Sequence, residues 1–195
     1  PEGINEKFSI NEILSIFDFD RVNKSGAKFD WDKLNWINSQ VIHELSAEQL
    51  FKSLNPLWEE EGWYIPSQQW GVSLCNLIGP SLTTLRDGIE EGKAFFSTPI
   101  QQIDGIKQLE IKEAQTCLSF LLKELEKKCW DGKDIDIAKE IIQITTESTK
   151  VKKGVIMKTL RAALLGNLKG PDLLTTWALL AQMGKDQERI KLSIK

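Results

Sequence analysis

The sequence KKGVIMKTLRAALLGNLKGP occupies residues 152–171 and is the most informative stretch of the chain. Its apolar residues recur every three or four positions, which predicts one buried face of a helix that ends at Gly166. The residues of that face are Val155, Ile156, Leu160, Ala163 and Leu164. The cationic residues fall outside it: Lys152, Lys153, Lys158, Arg161 and Lys169. A cationic helix surface beside a glycine-terminated end favours an anionic partner.

The overall net charge of −3 conceals an uneven distribution. Residues 150–195 hold ten Lys and Arg against three Asp and Glu, whereas residues 1–149 hold fifteen against twenty-five. A polyphosphate would therefore be attracted to one end of the molecule and repelled by the other. A helical protein-interaction module, with an acidic body that binds the partner and a basic face that is only solvated, is equally compatible. Charge alone leaves both interpretations open.

Helical patterns run through the first half of the chain. Capping boxes begin helices after Ser9 and Ser46, where each serine is followed three residues later by Glu or Gln. Asp32 is expected to cap a helix over residues 33–45, which carries one apolar stripe. Pro56 and Pro66 are expected to punctuate the stretch that follows Ser46.

The second half predicts longer helices. One covers residues 110–129, a second opens at Asp134, and a break is expected at residues 145–150, before the basic stretch. A final hydrophobic helix covers residues 173–183, with Gly184 just beyond its end. No strand pair, internal repeat or low-complexity linker is apparent, so the sequence predicts an all-α fold.

Composition narrows the class of protein. With 41% hydrophobic and 27% charged residues, the 195-residue chain has the balance of a soluble protein with an ample core. Three cysteines without a CxxC pair disfavour disulfides and a zinc site, and favour the reducing cytoplasm. No apolar run reaches membrane-spanning length, and no nucleophile, acid–base or metal-ligand constellation supports an independent enzyme. Most of the seven tryptophans are expected to be packing anchors.

Two blocks of this sequence resemble segments of bacterial-type glutamyl-tRNA synthetases. Residues 160–166 (LRAALLG), followed by Gly170-Pro171, look like the family's C-terminal signature PLRxALTG…GP. Residues 19–38 (FDRVNKSGAKFDWDKLNWIN) are similar to the RVxKSxAxFDxxKLxWxN segment that follows the family's catalytic half. The blocks occur in the family's order, and together with residues 45–50 they extend the resemblance over essentially the whole chain.

The resemblance implies a helical cage of the class I aminoacyl-tRNA synthetase anticodon-binding type. Residues 1–45 would end the stem-contact region, and residues 46–103 and 104–195 would form two small helical subdomains. The family's catalytic domain, which carries the HIGH and KMSKS motifs and uses ATP and Mg²⁺, would precede this portion, and neither motif occurs here. This portion would then be inactive alone and hold no cofactor or metal. It would belong to a cytoplasmic, monomeric ligase that binds tRNA(Glu), and neither DNA nor membranes.

Anticodon recognition requires hydrogen-bond donors for the base edges, cationic side chains for the phosphates, and a flat or aliphatic surface against the base planes. Arg161 is the leading candidate, because a guanidinium can form a fork of hydrogen bonds to one base or stack on it, and the family's arginine here contacts the anticodon. A surface salt bridge is the alternative role for Arg161. Further residues expected near the bases are Asn167, Gly170 and Leu173. Expected phosphate contacts are Lys152, Lys153, Lys158, Lys169, Arg21 and Lys24. For the last two, an internal structural loop is an equally good explanation.

One departure from the family pattern concerns specificity. Discriminating members place an arginine just after the proline in the turn that corresponds to residues 79–85, and there it favours the third anticodon base of tRNA(Glu). Here that position is Ser81. A short hydroxyl crowds neither C nor G, so the sequence predicts a non-discriminating ligase that also charges tRNA(Gln). Neighbouring Arg86 could substitute for the missing arginine.

Overall fold

The computed structural model describes residues 8–21, 26 and 28–194, except for the side chain of Arg21. Within those ranges the regular structure consists of eleven α-helices and two short 3-10 turns, without a strand. The helices are α1 (Ile10–Ile16), α2 (Trp31–His43), α3 (Ala47–Glu60), α4 (Gln68–Ile78), α5 (Asp87–Phe96), α6 (Ile103–Glu110), α7 (Lys112–Lys128), α8 (Ile135–Thr149), α9 (Lys153–Leu165), α10 (Leu173–Gln182) and α11 (Lys185–Ser193). The all-α prediction is confirmed.

Local hydrogen bonds explain where several helices begin. The capping boxes predicted at Ser9 and Ser46 are confirmed: each hydroxyl accepts a backbone N–H three residues on, and the side chain there accepts the serine N–H. The cap predicted for α2 was wrong. Asp30 Oδ1, rather than Asp32, accepts the N–H of Lys33 at 3.0 Å. Asp32 instead lies in the first turn, where its negative charge complements the helix dipole.

The interruption predicted at Pro56 was also wrong, because this proline lies inside α3. Leu50, Leu54 and Trp58 continue their spacing of four through the proline, and all three are buried. An interior proline costs about 3 kcal/mol, whereas burying each large apolar side chain contributes about 1.5–3 kcal/mol. Packing therefore outweighs the local penalty.

The break predicted at residues 145–150 was wrong, because α8 continues to Thr149. Thr145, Thr146 and Thr149 each donate to the carbonyl four residues earlier, at 2.7, 2.8 and 2.6 Å. These bonds keep the hydroxyls from competing with the helical backbone. The helix ends only at Lys150, which has a left-handed φ of 59°.

Two further differences concern α7 and α11. The helix predicted over residues 110–129 begins later, because Ile111 is extended (φ −70°, ψ 145°) and separates α6 from α7. α11 was not predicted, because its sequence KDQERIKLS lacks a sustained apolar stripe. Buried Ile190 is accompanied there by two buried charged residues, Asp186 and Arg189.

A continuous hydrophobic core joins the helices before and after the 97–102 connection. Trp70 of α4 donates its indole N–H to Leu179 O of α10 at 3.0 Å. Trp58 likewise ties α3 to α5 through Gly88 O at 3.0 Å. The tryptophans buried in this core are Trp58, Trp70, Trp130 and Trp177. The domain boundaries at residues 45 and 103 stay a prediction.

Candidate nucleic-acid interface

The turn of residues 166–172 connects α9 to α10 and holds two of the predicted base contacts, Asn167 and Gly170. Gly166 has φ +76° and Gly170 has φ +132°, a region of backbone space that favours glycine. Asp172 Oδ1 accepts both the backbone N–H and the hydroxyl of Thr175, at 2.9 and 2.8 Å, and so caps α10. The glycines thus form a short turn between two well-terminated helices.

Arg161 projects from the last part of α9 onto this turn. Its Nη1 donates to Pro171 O at 2.7 Å, and a Cβ on Gly170 would lie 3.4 Å from that same nitrogen. Within the described ranges this is the only hydrogen bond of the guanidinium, and no ion pair engages it. Burial lowers the pKa of Arg161 while Asp172 raises it, and the group stays charged at neutral pH. The turn therefore holds a partly exposed, charged guanidinium whose remaining N–H groups are free to donate hydrogen bonds.

The other predicted turn residues have distinct placements. Asn167 Oδ1 accepts the N–H of Lys169 at 3.1 Å, so its carbonyl stabilises the turn while its NH₂ stays available. Gly170 is exposed beside the guanidinium. Leu173 is only 2% exposed, because it is the first residue of α10 and points into the core. The structure brings Gly170 next to Arg161 and places Asn167 in the same turn, whereas the side chain of Leu173 has no surface to offer a base.

The predicted phosphate-binding lysines are all exposed: Lys152, Lys153, Lys158 and Lys169. Ion pairs in the described part of the chain use other lysines: Lys127, Lys128, Lys133, Lys139 and Lys191. Lys158 lies one helical turn before Arg161, and Lys153 lies about 12 Å before it along the axis of α9. We call these four lysines and Arg161 the cationic surface.

The start of α9 lacks the residues that usually stabilise the N-terminus of a helix. Lys152 occupies the N-cap position without a capping hydrogen bond, and no acidic residue lies in the first turn. Lysines at this end add their charge to the positive end of the helix dipole, which disfavours the helix and attracts anions. This arrangement strengthens the positive potential of the cationic surface.

The end of α9 is fastened to the 97–102 connection, directly and through Arg189 of α11. Gln102 N donates to Gly166 O at 2.7 Å. Arg189 donates to Leu164 O at 2.6 Å and to Ser97 O at 2.8 Å. Burial lowers the pKa of Arg189 to about 10, so it remains charged at neutral pH. Sequence reasoning missed Arg189, because a charged residue in a polar stretch gives no sign that it is buried.

Ser81 lies at the end of a 3-10 turn, Gly79–Ser81, that follows α4. Its hydroxyl donates to Ile78 O at 2.7 Å, which leaves the oxygen free to accept but not to donate a second bond. No hydrogen bond or ion pair within the described residues joins Ser81 to Arg161. Ser81 and Arg161 therefore belong to separate elements, the 3-10 turn and α9.

The segment after Ser81 is fixed by neighbouring side chains. Asp87 Oδ2 accepts the N–H groups of Thr83 and Thr84 at 2.9 and 2.7 Å. His43 Nε2 lies 3.0 Å from Leu82 O, within hydrogen-bonding distance, and so links the end of α2 to this turn. The single histidine of the sequence therefore has a structural contact.

Lys24 and the side chain of Arg21 fall outside the described residues. In the ranges that are described, no group of His, Cys, Asp and Glu could hold a metal ion, and no helix is long and apolar enough to cross a membrane.

Comparison with known proteins gives a consistent result. A family model described as an anticodon binding domain matches residues 43–192. The glutamate–tRNA ligase of Parasynechococcus marenigrum (strain WH8102) is 53% identical over 192 residues, which are 98% of this chain and 40% of that protein. The glutamate–tRNA ligase of Prochlorococcus marinus (strain MIT 9303) is 51% identical over 191 residues, with the same coverage. The chain therefore spans about 40% of the length of these relatives.

A solved structure agrees with these sequences. The crystal structure of a glutamate tRNA ligase from Elizabethkingia meningosepticum in complex with its amino acid matches with a TM-score of 0.81 and 26% identity. The match covers 95% of this chain and 36% of that one. The resemblance to glutamyl-tRNA synthetases is thus confirmed, and the chain belongs to the anticodon-binding domain family.

Proposed function

We propose that this chain is the anticodon-reading part of a longer glutamate–tRNA ligase. The observation that carries the proposal is the guanidinium of Arg161, which Pro171 O holds at a glycine-rich turn with its other donors unused. A planar charged fork in this position suits the edge or face of an unstacked base.

The neighbouring residues complete the proposed site. The amide NH₂ of Asn167 supplies a second donor, and Gly170 allows a base to approach the backbone closely. The lysines of the cationic surface bind phosphates, which raises affinity without reading sequence. Leu173 supports this turn from the core.

The remaining parts of the reaction are assigned to the portion that this chain does not span. The whole protein would ligate glutamate to tRNA(Glu), with ATP and Mg²⁺ bound in a catalytic domain, as a cytoplasmic monomer. The chain described here would bind tRNA without ligating anything to it.

Salt dependence of binding tests the proposal. With four phosphate contacts, affinity for a tRNA(Glu) transcript should fall roughly 50-fold between about 50 and 200 mM salt. Arg161→Ala should weaken binding at every salt concentration. Lys52→Ala removes an exposed lysine of α3 and serves as the matched control, which should bind like the wild type. Undetectable or salt-insensitive binding would overturn the proposal.

We propose in addition that the ligase is non-discriminating, on the strength of Ser81. Its hydroxyl hydrogen is already donated to Ile78 O, so the side chain presents only a short acceptor. Such a group provides little energy to separate C from G at the third anticodon base.

Aminoacylation by the full-length protein tests this second proposal. Wild type should charge both tRNA(Glu) and tRNA(Gln), and Ser81→Arg should shift the ratio of kcat/KM towards tRNA(Glu) by about tenfold or more. Ser53→Arg on α3 adds the same side chain elsewhere and should leave the ratio unchanged. Refusal of tRNA(Gln) by the wild type would contradict the proposal.

A further inference from the structure

Exposed apolar side chains are concentrated in one segment of the anticodon-binding region. Among the large apolar residues of the 44–194 range, the exposed ones are Tyr64, Ile100, Ile103, Ile106, Ile111 and Leu192. Four of these six lie within residues 100–111, on α6 and its two ends. Single exposed apolar residues need no explanation, whereas a cluster indicates a contact surface.

This segment lies directly beside the turn that carries the proposed base readers. Gln102 N donates to Gly166 O at 2.7 Å, and the carbonyl of Ile100 packs so closely on Gly166 that a side chain there would collide with it. Gly105 of α6 makes an equally close approach to Gly166 O. The apolar segment therefore adjoins the turn that follows α9.

The orientation of α6 is fixed by its other face. Gly105 and Leu109 are buried, and Gln108 Nε2 donates to Thr159 Oγ1 of α9 at 2.9 Å. Ile103 and Ile106 lie on the opposite, exposed side. We call Ile100, Ile103 and Ile106 the isoleucine patch.

Lys107 lies beside this patch. It is exposed and has no ion-pair partner within the described ranges. The nearby carboxylate of Asp104 accepts the N–H of Gly105 at 2.8 Å. A cation next to an apolar face suits a nucleotide, which combines an apolar base plane with a negative phosphate.

The proposed site offers few other apolar side chains, because Leu168 and Leu174 beside the turn are partly buried against the core. Its turn supplies donors and charge, but Leu173 is 2% exposed and cannot cover a base. The indoles of Trp70 on α4 and Trp177 on α10 are buried. A reader of unstacked bases needs a surface for their planes, and the isoleucine patch, whose members are 43–84% exposed, is the more exposed apolar surface beside this turn.

We infer that the isoleucine patch is the platform against which one unstacked base of the anticodon loop packs, with Lys107 near its phosphate. This inference rests on the proposed anticodon reading and adds residues 100–107 to the site. The base lies on the Gly166 side of the turn, and Arg161 approaches from the Gly170 side.

The test uses an anticodon stem-loop RNA with 2-aminopurine placed at each anticodon position in turn. The double variant Ile100→Ser/Ile103→Ser loses roughly 40–60 Å² of covered apolar surface, so its affinity should fall about five- to tenfold. The dependence on salt should stay the same, because no charge is removed. In the wild type, 2-aminopurine fluorescence should change on binding when the probe occupies the position of the packed base. This change should disappear in the double variant.

Controls separate the apolar contact from the ionic ones. Tyr64→Ser removes an exposed apolar side chain between α3 and α4 and should bind like the wild type. Lys107→Ala should reduce the slope of log affinity against log salt by about 0.7.

Two results would overturn the inference in different ways. If the double variant binds like the wild type while Arg161→Ala binds weakly, the patch is not the platform and the proposed function stands. If neither change affects binding, or the wild type does not bind the stem-loop, the proposed function fails as well. A change in oligomeric state of the double variant without a change in RNA affinity would assign the patch to self-association and overturn the inference.

Discussion

Replacing Lys152 by serine should strengthen the fold and weaken RNA binding at the same time. Lys152 has the extended backbone of an N-cap residue (φ −60°, ψ 135°), yet its side chain makes no capping bond. Serine would accept one of the unsatisfied N–H groups at the start of α9, which contributes about 1 kcal/mol. Removing a positive charge from the positive end of the helix dipole adds about 0.3–1 kcal/mol.

Urea unfolding followed by tryptophan fluorescence measures the gain in stability. A total of about 1–2 kcal/mol corresponds to a rise in Tm of roughly 2–8 °C for a chain of this size. In RNA binding, the loss of one phosphate contact should reduce the salt slope by about 0.7. The prediction is thus a pair of changes with opposite signs in one variant.

Lys52→Ser supplies the matched control, since it removes an exposed lysine from the interior of α3. Serine forms helix less readily than lysine, so this variant should lose a few tenths of a kcal/mol and bind RNA normally. The reasoning is refuted if Lys152→Ser lowers stability, because α9 would then not begin at this residue. Unchanged RNA affinity of the same variant would refute the role of the cationic surface.

Three further changes test individual features. Gly166→Ala should lower the free energy of unfolding by about 1–3 kcal/mol, because φ is +76° and a Cβ would meet Ile100 O. An unchanged denaturation midpoint would refute this. Burial raises the pKa of Asp87, but bonds from Thr84 and Thr83 outweigh burial and hold it below its usual value. The ionised Asp87 carboxylate therefore stabilises the fold above about pH 4, and this stabilisation is lost as pH falls through the folded pKa. Asp87→Asn should flatten the acid side of the curve of unfolding free energy against pH. An unaltered curve would contradict this. Burial raises the pKa of Asp186, so the folded state binds the proton more tightly and stability falls as pH rises above about 4. Asp186→Asn should then be more stable than wild type at pH 7 and similar to it in acid, and a destabilised variant at pH 7 would count against the assignment.

The fold was predictable where a local signal and a buried face agree. Ser9 and Ser46 combine a capping residue with a partner three positions later, and the structure confirms both boxes. Near α2, two aspartates offer equivalent local signals, so sequence alone could not choose Asp30 over Asp32. The prediction at Pro56 was wrong because packing, which depends on distant residues, outweighs the local preference of proline against a helix interior.

The candidate site was less predictable than the fold. Arg161 and the lysines stand out through motif and charge, yet nothing local indicates that Leu173 points inward or that α11 fastens the end of α9. Arg189 contacts carbonyls 25 and 92 residues away in sequence, so its partners become visible only in three dimensions. The isoleucine patch was missed for a related reason: apolar residues in a sequence are taken as core until their exposure is known.

The central claim is that Arg161 recognises a base, and one comparison tests it directly. Wild type and Arg161→Ala would be titrated with a tRNA(Glu) anticodon stem-loop and with the same RNA in which the anticodon bases are replaced by abasic sites. We expect the variant to bind the native stem-loop about tenfold or more weakly, and both proteins to bind the abasic RNA almost equally, because the lost contact is to a base. An equal loss on both RNAs would show that Arg161 contacts only the backbone and would contradict the account.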